Sequence, residues 1–595
     1  MPATCPKRHQ KAVGASAPTA FVVRTSFVDR SPDRRRRPRL ATVLTAAVCC
    51  LTFVLPTGAL ASEPADQPPF DGGDAGTLVE RSVTAAPAGF RLDASQAIGV
   101  ATRTRAGRDA EAEYGPLGAE VATVGRDWQV TLVESDGSPQ ALVLVDDRSG
   151  RVIEQWTGWQ VETRLARGYP GAVGGIVGSW WIWIPLCLVF VAPFVNLRRP
   201  LQIRHLDLAA LLAFSVSFYF FARGRIDISV PLVYPLLAYL FVRLVWIGFG
   251  RTRSAPPPAG EGNVFFRPRL LEAGIALLVI GYVLVTILAA KVIDVGFASV
   301  IGAHLIATGE SLYGVASSSG QPLLVDVYGP VNYLAYLPFE RIFPWNGLDW
   351  DSLPAARVAS LVFTLGTAAC LYGLGRQVAG AGKARAHVAG LALAFAWLAF
   401  PFTLLSVASS FNDALVSLLV SASLLALASA PGRGALTALA GLTKYGPLAI
   451  APLMAAGTGE RRARSLLPFA LAFAAVAALV TIPLIPDGGI REVYDRSLGY
   501  QAGRGSPFSV WGQDPSLGFL HDATKVFAVL FAMSLYFFPR RRQPLQVAAL
   551  ASAALIALEV CAMHWFYPYL LWLLPGALVA FLLLGTRADG ETASD

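Results

Sequence analysis

The sequence predicts a mainly α-helical, polytopic membrane protein that carries one small extracytoplasmic α+β domain. Of its 595 residues, 54% are hydrophobic and 15% are charged, whereas soluble domains carry about 25% charged residues. The apolar residues gather in runs of about 20, the length at which a helix crosses roughly 30 Å of hydrocarbon. These two observations exclude a soluble globular protein.

The net charge of +9 is concentrated at the amino-terminal end. Residues 1–39 hold ten of the 49 Lys and Arg residues and only two acids. Positive charge that is confined to a basic tail does not indicate a nucleic-acid-binding surface, so we expect no nucleic-acid partner. The six Cys residues lie in this tail or in apolar runs, and the six His residues are scattered. We therefore expect no disulfide framework, no metal and no cofactor.

Residues 1–61 form the basic tail and an export segment. The apolar stretch 41–55 follows a run of Arg residues and precedes Ala59-Leu60-Ala61, a pattern typical of a signal peptide. The length of the charged tail leaves open whether the segment is cleaved or stays as an anchor. Either outcome exports the residues that follow.

Residues 62–175 have the composition of an exported soluble domain, with 17 acids, ten Arg and no run long enough to span a membrane. A Pro- and Gly-rich linker leads to a helix that Asp93 or Ser95 caps. Three strands are predicted after it, at 127–133, 141–145 and 152–156.

The last hairpin of this domain reads Val145-Asp146-Asp147-Arg148-Ser149-Gly150-Arg151-Val152. A helix followed by a meander that ends in this hairpin resembles the PepSY domain. An unrelated α+β module is the alternative. The resemblance leaves the role of the domain open between docking an acceptor or partner and inhibiting the membrane part.

A series of apolar runs predicts the membrane-spanning helices. They lie near 176–196, 206–222, 228–248, 268–291, 355–376, 387–407, 412–430, 465–486, 522–538, 544–564 and 567–585, with a broken pair at 434–457. Clusters of Arg and Lys occupy alternate connections, which the positive-inside rule places in the cytoplasm together with the tail at 586–595. We expect a multi-pass protein of the plasma membrane.

We divide the predicted spans into three tethering helices within 176–267 and a core at 268–585. Two outer loops of this core, at 291–354 and 487–522, exceed the length at which a connection usually indicates function. Asp294 lies just where the span from 268 reaches the outer surface, followed by an amphipathic run. A carboxylate in that position can act as a base on a lipid-bound substrate.

Several short motifs follow one another on the predicted outer side. They are Gly309-Glu310-Ser311-Leu312-Tyr313-Gly314, Tyr328-Gly329-Pro330, Asn412-Asp413-Ala414, Gly441-Leu442-Thr443-Lys444-Tyr445-Gly446-Pro447 and Ser506-Pro507-Phe508-Ser509-Val510-Trp511-Gly512. In this order and sidedness, with Asp294 before them, they resemble the GT-C glycosyltransferases, most of all family 87, the polyprenol-phosphate-mannose-dependent mannosyltransferases and their relatives. Many GT-C enzymes have paired acids in the first loop, but Val295 follows Asp294 here, so a metal role for such a pair is not implied.

The resemblance implies a hexosyltransferase, with mannose as the sugar of the named relatives. Its donor is a polyprenyl-phosphate sugar, and its acceptor is an envelope glycan or glycolipid at the outer face of the bilayer. Asp294 is the expected general base, and attack opposite the phosphate inverts the anomeric centre. The alternative is that Asp294 is only a negative charge at the end of a helix, without a catalytic role.

Lys444 is the predicted phosphate-binding cation, because a lysine is expensive inside an apolar hairpin and is therefore kept for a function. The alternative is that it reaches the surface or neutralises Asp413 or Glu559. Further candidates for binding the donor are Tyr328, Arg491, Arg496, Arg504, His564 and Trp511. For these, solvated loop charges, an aromatic interface belt and ordinary packing are the alternatives.

Two other classes remain open. A transporter uses Lys444, Asp413 and Glu559 as a relay, with the broken pair as a midplane site. However, the sequence shows no repeated halves. A ligand sensor uses the PepSY-like domain for binding, and its spans have no catalytic role.

Overall fold

The computed structural model describes most of the chain from residue 86 onward. The described residues are 77–78, 86–87, 89–124, 127–135, 139–157, 161, 174–196, 200–222, 226–250, 267–314, 325–345, 353–380, 382–459, 462–503, 506 and 508–584. The predicted export segment, the tail at 586–595 and Arg504 lie outside these residues.

A five-stranded antiparallel sheet and two helices form the α+β domain. Neighbouring strands of the sheet are consecutive in sequence, as in a meander. Both helices come between the first strand and the second. The elements are β1 (Thr77–Leu78), α1 (Ala94–Thr102), α2 (Arg105–Tyr114), β2 (Gly118–Val124), β3 (Asp127–Val133), β4 (Pro139–Asp146) and β5 (Val152–Thr157).

The three strands predicted in this domain are present as β3, β4 and β5. The predicted cap is also confirmed, because Asp93 accepts a hydrogen bond from the Gln96 amide and Gln96 accepts one from the Asp93 amide. This reciprocal pair is a capping box. β2 is not among the predicted strands, since its Gly, Ala and Glu residues give a weak β pattern.

Asp147 ties the start of the domain to its sheet. Its carboxylate is 4% exposed and accepts hydrogen bonds from the Arg91 amide at 2.8 Å, the Leu92 amide at 2.9 Å and the Trp128 indole at 3.1 Å. Burial by itself raises the pKa of this carboxyl, but the hydrogen bonds outweigh burial and lower the pKa of Asp147 below 3.8. The ionised carboxylate therefore stabilises the folded domain.

We expect Asp147→Asn to lower the stability of the domain by about 2 kcal/mol, because hydrogen bonds to a charged group contribute about 1.5–3 kcal/mol. Hydrogen exchange of the β3 and β4 amides, measured on the intact protein at pH 7, is expected to become roughly 30-fold faster. The pKa is lowered by folding, so the wild-type advantage is complete above pH 3.8 and is lost as the pH falls through the lower folded-state pKa.

Asp146→Asn is the matched control for this experiment. Asp146 accepts hydrogen bonds only within its own turn, from the Ser149 amide at 2.6 Å and from the Ser149 hydroxyl. Its replacement is expected to change exchange less than about threefold, since surface turn contacts are weak. Equal acceleration in the two variants would contradict the anchoring role of Asp147.

The remaining described helices form a helical bundle. They are α3 (Trp180–Val191), α4 (Ile203–Phe221), α5 (Ile226–Phe249), α6 (Pro268–Leu288), α7 (Asp294–Thr308), α8 (Pro330–Ile342), α9 (Pro354–Val378), α10 (Lys383–Ala399), α11 (Pro401–Ala408), α12 (Asp413–Leu425), α13 (Ala430–Gly441), α14 (Ala451–Ala456), α15 (Arg462–Thr481), α16 (Gly489–Tyr494), α17 (Tyr500–Gly503), α18 (Val510–Gln513), α19 (Gly518–Phe537), α20 (Pro544–Val560) and α21 (Leu570–Leu582).

Six of the described helices are long and apolar enough to cross a membrane, namely α4, α5, α6, α9, α15 and α19. They lie at six of the predicted spans, which fits a helical membrane protein. The span predicted at 387–407 is divided into α10 and α11, which meet at an angle of 55°. The bend falls at Phe400, because the residue before a proline is driven away from helical geometry.

Four predicted spans contain shorter helices than their apolar runs indicate. The runs at 176–196, 412–430, 544–564 and 567–585 contain α3, α12, α20 and α21, of 12 to 17 residues. Every residue of α21 and nearly every residue of α20 is buried. For α20 and α21 an apolar run therefore overstates helix length, because the connection 561–569 between them is enclosed by protein as well.

The three helices predicted as tethers pack into the bundle itself. The buried Tyr567 hydroxyl lies 2.7 Å from the Ser217 hydroxyl of α4 and 2.8 Å from the Ser229 hydroxyl of α5. Gly248 of α5 lies directly against the Leu550 side chain of α20, where any Cβ would collide. Thus α4 and α5 form part of the wall around α20 and α21, which is more than a tether requires.

Candidate functional site

A buried ion pair lies inside the helical bundle, between Lys444 and Asp413. The Lys444 Nζ atom is 2.8 Å from the Asp413 Oδ1 atom, and the two side chains are 10% and 1% exposed. A buried pair is stable only when further contacts replace the lost water. The sequence left open whether Lys444 reaches the surface or neutralises Asp413 or Glu559. In the structure it pairs with Asp413.

Aromatic side chains complete the surroundings of this pair. The Lys444 Nζ atom lies 5.3 Å from the ring centre of Tyr328, 5.6 Å from that of Tyr569 and 5.8 Å from that of Trp572. The Trp572 indole also donates a hydrogen bond of 2.8 Å to the Asp413 Oδ1 atom. The ring faces stabilise the ammonium group where water is excluded.

The break between α13 and α14 explains why Lys444 reaches this position. α13 ends at Gly441, and a short 3-10 segment starts at Gly446. The carbonyl groups freed at Leu442 and Thr443 accept hydrogen bonds from the Val331 amide at 3.0 Å and the Gly329 amide at 3.2 Å. The unwound backbone is thereby joined to the start of α8, which brings Tyr328 next to Lys444.

Asp294 is the first residue of α7, and its side chain is exposed. Its carboxylate accepts a hydrogen bond of 2.8 Å from the Val295 amide. The positive end of the helix dipole stabilises a negative charge at this position. The Lys291 amide donates to the Ala408 carbonyl at 2.8 Å, so the segment that leads into α7 is joined to the end of α11.

The turn between α11 and α12 connects Asp294 with the ion pair. A Cβ on Gly296, two residues after Asp294, would lie 2.8 Å from the Ser410 carbonyl oxygen, so α7 starts in close contact with this turn. Ser410 has a φ of 52°, an unusual conformation for a residue with a side chain. Three residues later the same chain supplies Asp413.

A buried amide network supports this arrangement. The Asn412 side-chain amide donates to the Asn332 Oδ1 atom at 2.9 Å. The Asn332 side-chain amide in turn donates to the Ser299 hydroxyl at 2.9 Å. All three side chains are fully buried. They belong to the start of α12, to α8 and to α7, so the network holds these three elements in one register.

The two long loops predicted at 291–354 and 487–522 meet beside the ion pair. The Arg496 Nε atom donates to the buried Asp326 carboxylate at 2.7 Å, and the Gly314 amide donates to the same oxygen at 3.0 Å. The Tyr445 hydroxyl, next to Lys444, lies 2.6 Å from the Ser497 hydroxyl. Arg496 therefore belongs to the same region as Lys444.

The other predicted donor-binding residues lie apart or are already packed. Arg491 is exposed and pairs with Asp495 at 3.6 Å. The His564 Nδ1 atom lies 2.8 Å from the Ser506 hydroxyl. Trp511 is 8% exposed, and His521 covers one face of its ring at 5.1 Å between centres. Of the alternatives open for Trp511, packing is the role that the structure has. Arg504 lies outside the described residues.

Sequence reasoning missed Tyr569, Trp572, Asn332 and Asp326 as parts of the site. The spacing of Tyr569 and Trp572 predicts that they share one side of a helix, but core and interface helices show the same spacing. Glu559 is buried, with one oxygen 3.2 Å from the Trp565 indole, and its other oxygen has no hydrogen-bond partner in the described part of the chain.

An open surface pocket of about 320 Å³ lies elsewhere, between α9 and α10, where Arg376 and Lys383 line it. It is at the far end of α9 from Ser360, whose hydroxyl donates to the Phe411 carbonyl at 3.3 Å. The pocket is therefore not part of the candidate site.

Comparison with protein-family models, curated proteins and solved structures gives no match to this chain. The fold and the apolar helices define a helical membrane protein with a small α+β domain. Its candidate site consists of a buried lysine–aspartate pair and an exposed helix-end carboxylate near two long loops.

We expect Lys444→Met to destabilise the protein by about 3 kcal/mol, because breaking a buried ion pair leaves Asp413 as an uncompensated charge. Asp413→Asn is expected to cost a similar amount, since Lys444 then lacks its carboxylate. The double variant is expected to be more stable than the sum of the two losses, because no unpaired charge remains. Thermal unfolding of the purified protein in detergent measures these differences, and strictly additive losses would contradict direct pairing.

Proposed function

We propose that this protein is an integral-membrane glycosyltransferase that transfers a hexose from a polyprenyl-phosphate sugar to an envelope glycan or glycolipid. The chemistry takes place at the outer face of the plasma membrane. A sugar donor reaches that face on a lipid phosphate, so the enzyme has to meet it at the bilayer. A transferase built mostly of apolar helices satisfies this requirement.

The observation that carries the proposal is the position of Lys444. It lies in a break between two helices, with a carboxylate on one side and three aromatic rings around it. Asp413 and the rings hold the ammonium group in place, and the broken helix adjoins both outer loops. A fixed cation in a water-poor site is what a departing phosphate requires.

Asp294 is the proposed general base. It takes the proton of the acceptor hydroxyl while that oxygen attacks the anomeric carbon. The bond between the anomeric carbon and the phosphate oxygen breaks, and polyprenyl phosphate leaves with the bonding electron pair. Lys444 and Arg496 balance the charge of the leaving phosphate. The Tyr328 ring, already against Lys444, lines the donor side of the same space.

Transfer of labelled sugar from a panel of polyprenyl-phosphate sugars, by purified protein in liposomes, tests this proposal. We expect Asp294→Asn to reduce kcat by about 10²-fold or more while the protein stays folded, because general-base catalysis contributes 10²–10⁴-fold. Glu310→Gln is the matched control, since Glu310 is also an exposed carboxylate of the first outer loop but bonds only to Thr308 among the described contacts. We expect it to retain activity.

If no donor supports transfer by the wild type, the proposed reaction is wrong. Full activity of Asp294→Asn would remove Asp294 from the mechanism and leave the reaction class in place. Transfer that persists after removal of 62–175 would separate the exported domain from catalysis.

One observation favours a second candidate, a transporter. Glu559 is buried with an unpartnered carboxylate oxygen, and it interacts electrostatically with Asp413 of the ion pair. Ionisable groups buried inside a membrane, here Lys444, Asp413 and Glu559, are typical of proton relays. Glu559→Gln decides between the candidates. The glycosyltransferase keeps sugar transfer in this variant, whereas a transporter loses substrate-dependent proton uptake into liposomes, measured with an internal pH dye.

A further inference from the structure

A second charged region lies at the helix ends near the Arg-rich connections. The turn 457–459 joins α14 to α15 and contacts the connection between α19 and α20. The Arg542 amide donates to the Thr458 carbonyl at 3.0 Å. A Cβ on Gly457 would lie 2.8 Å from the Arg433 guanidinium carbon. Arg433 and Arg542 therefore lie on either side of one tight glycine-rich turn.

Helix C-termini account for part of the arginine hydrogen bonding. The last carbonyl groups of a helix have no partner within the helix, and cations near them are favourable. Three guanidinium groups make this kind of contact: Arg433 with Met454 at 2.6 Å, Arg462 with Phe537 at 2.8 Å and Arg542 with Leu535 at 2.8 Å.

This capping uses the Nη1 atom of Arg542 and leaves the Nε–Nη2 edge of its guanidinium group without an acceptor among the described residues. Arg542 is 5% exposed, and its Nε and Nη2 atoms have no hydrogen-bond partner among the residues that the structure describes. In a guanidinium group, Nε–H and one Nη2–H point in the same direction and form the fork that binds two oxygens of one oxyanion. Buried charged donors without partners are strongly unfavourable, so the unused fork indicates a missing acceptor.

None of the described carboxylates supplies that acceptor. Among the residues that the structure describes, Arg433, Arg462 and Arg542 make no ion pair with Asp or Glu. Burial and the neighbouring Arg462 lower the pKa of Arg542 to about 10, so it is still protonated at neutral pH. Three full positive charges thus outweigh the charge of about −0.5 at each helix end.

We propose that Arg542, together with the turn 457–459, binds a phosphate-type oxyanion through its Nε–Nη2 edge. The Arg-rich connections predict that this face is cytoplasmic. Either a lipid headgroup or a soluble phosphate supplies the same oxygens. Phe537 and Phe538 beside the site are 54% and 55% exposed, which favours an anionic lipid whose acyl chains cover them.

Thermal unfolding of the full-length protein in detergent, with added phosphatidylglycerol, phosphatidylcholine or inorganic phosphate, tests the site. Phosphatidylglycerol is expected to raise the Tm of the wild type by about 3 °C. Arg542→Gln is expected to abolish this shift. Arg541→Gln is the matched control, because it removes the same charge from the adjacent exposed residue, and it is expected to keep the shift.

A shift with inorganic phosphate supports the site and assigns a soluble anion as the source. A shift with phosphatidylcholine that Arg542→Gln abolishes also supports the site, because the phosphodiester of this lipid carries the same oxygens. An equal shift in Arg542→Gln, or no shift with any addition, would overturn the proposal.

If Arg542→Gln does not fold, hydrogen exchange on the wild-type protein alone tests the proposal. Hydrogen exchange at 457–459 and 541–543 is then compared in detergent with and without added phosphatidylglycerol. Exchange at least about threefold slower in phosphatidylglycerol supports the site, and identical exchange overturns it.

Discussion

The packing of the elements around Lys444 depends on replacing the water that its ammonium group and the Asp413 carboxylate lose on burial. Burying both charges is unfavourable unless other groups replace their hydration. The Trp572 indole binds the carboxylate, and the rings of Tyr328 and Tyr569 face the ammonium group. Meeting these demands brings together the start of α12, the break after α13, the start of α8 and α21, which is why these elements converge.

The break between α13 and α14 also explains why the two long loops lie close together. An unwound segment exposes carbonyl groups that need donors, and the backbone at the start of α8 supplies them at Gly329 and Val331. The residue after Lys444, Tyr445, then reaches Ser497 in the second loop. Both loops are thereby held beside the buried cation.

The region around Lys444 and the turn 457–459 differ in how they hold charge. Near Lys444, the described cations have carboxylate partners, because Lys444 pairs with Asp413 and Arg496 pairs with Asp326. At the turn 457–459, three arginines are held by helix carbonyl groups instead, namely Arg433, Arg462 and Arg542. Capping of this kind fixes a guanidinium without neutralising it. The region around Lys444 therefore has paired charges, whereas the described arginines at the turn 457–459 keep their positive charge.

Local features were predictable from the sequence. The membrane class follows from apolar runs, the strands β3, β4 and β5 follow from alternation, and the Asp93 cap follows from its neighbours. Lys444 also stands out without a structure, because a lysine inside an apolar hairpin is expensive wherever it points.

Partners were decided only by the tertiary structure. Asp413 and Glu559 are equivalent candidates for Lys444 in the sequence, and Trp572, 159 residues after Asp413, carries no local sign that it binds that carboxylate. The shortness of α12 and α21 and the packing of Trp511 belong to the same group of features. Periodicity reports which side of an element is apolar, but which residue meets it depends on how distant segments pack, and many pairings satisfy the same pattern.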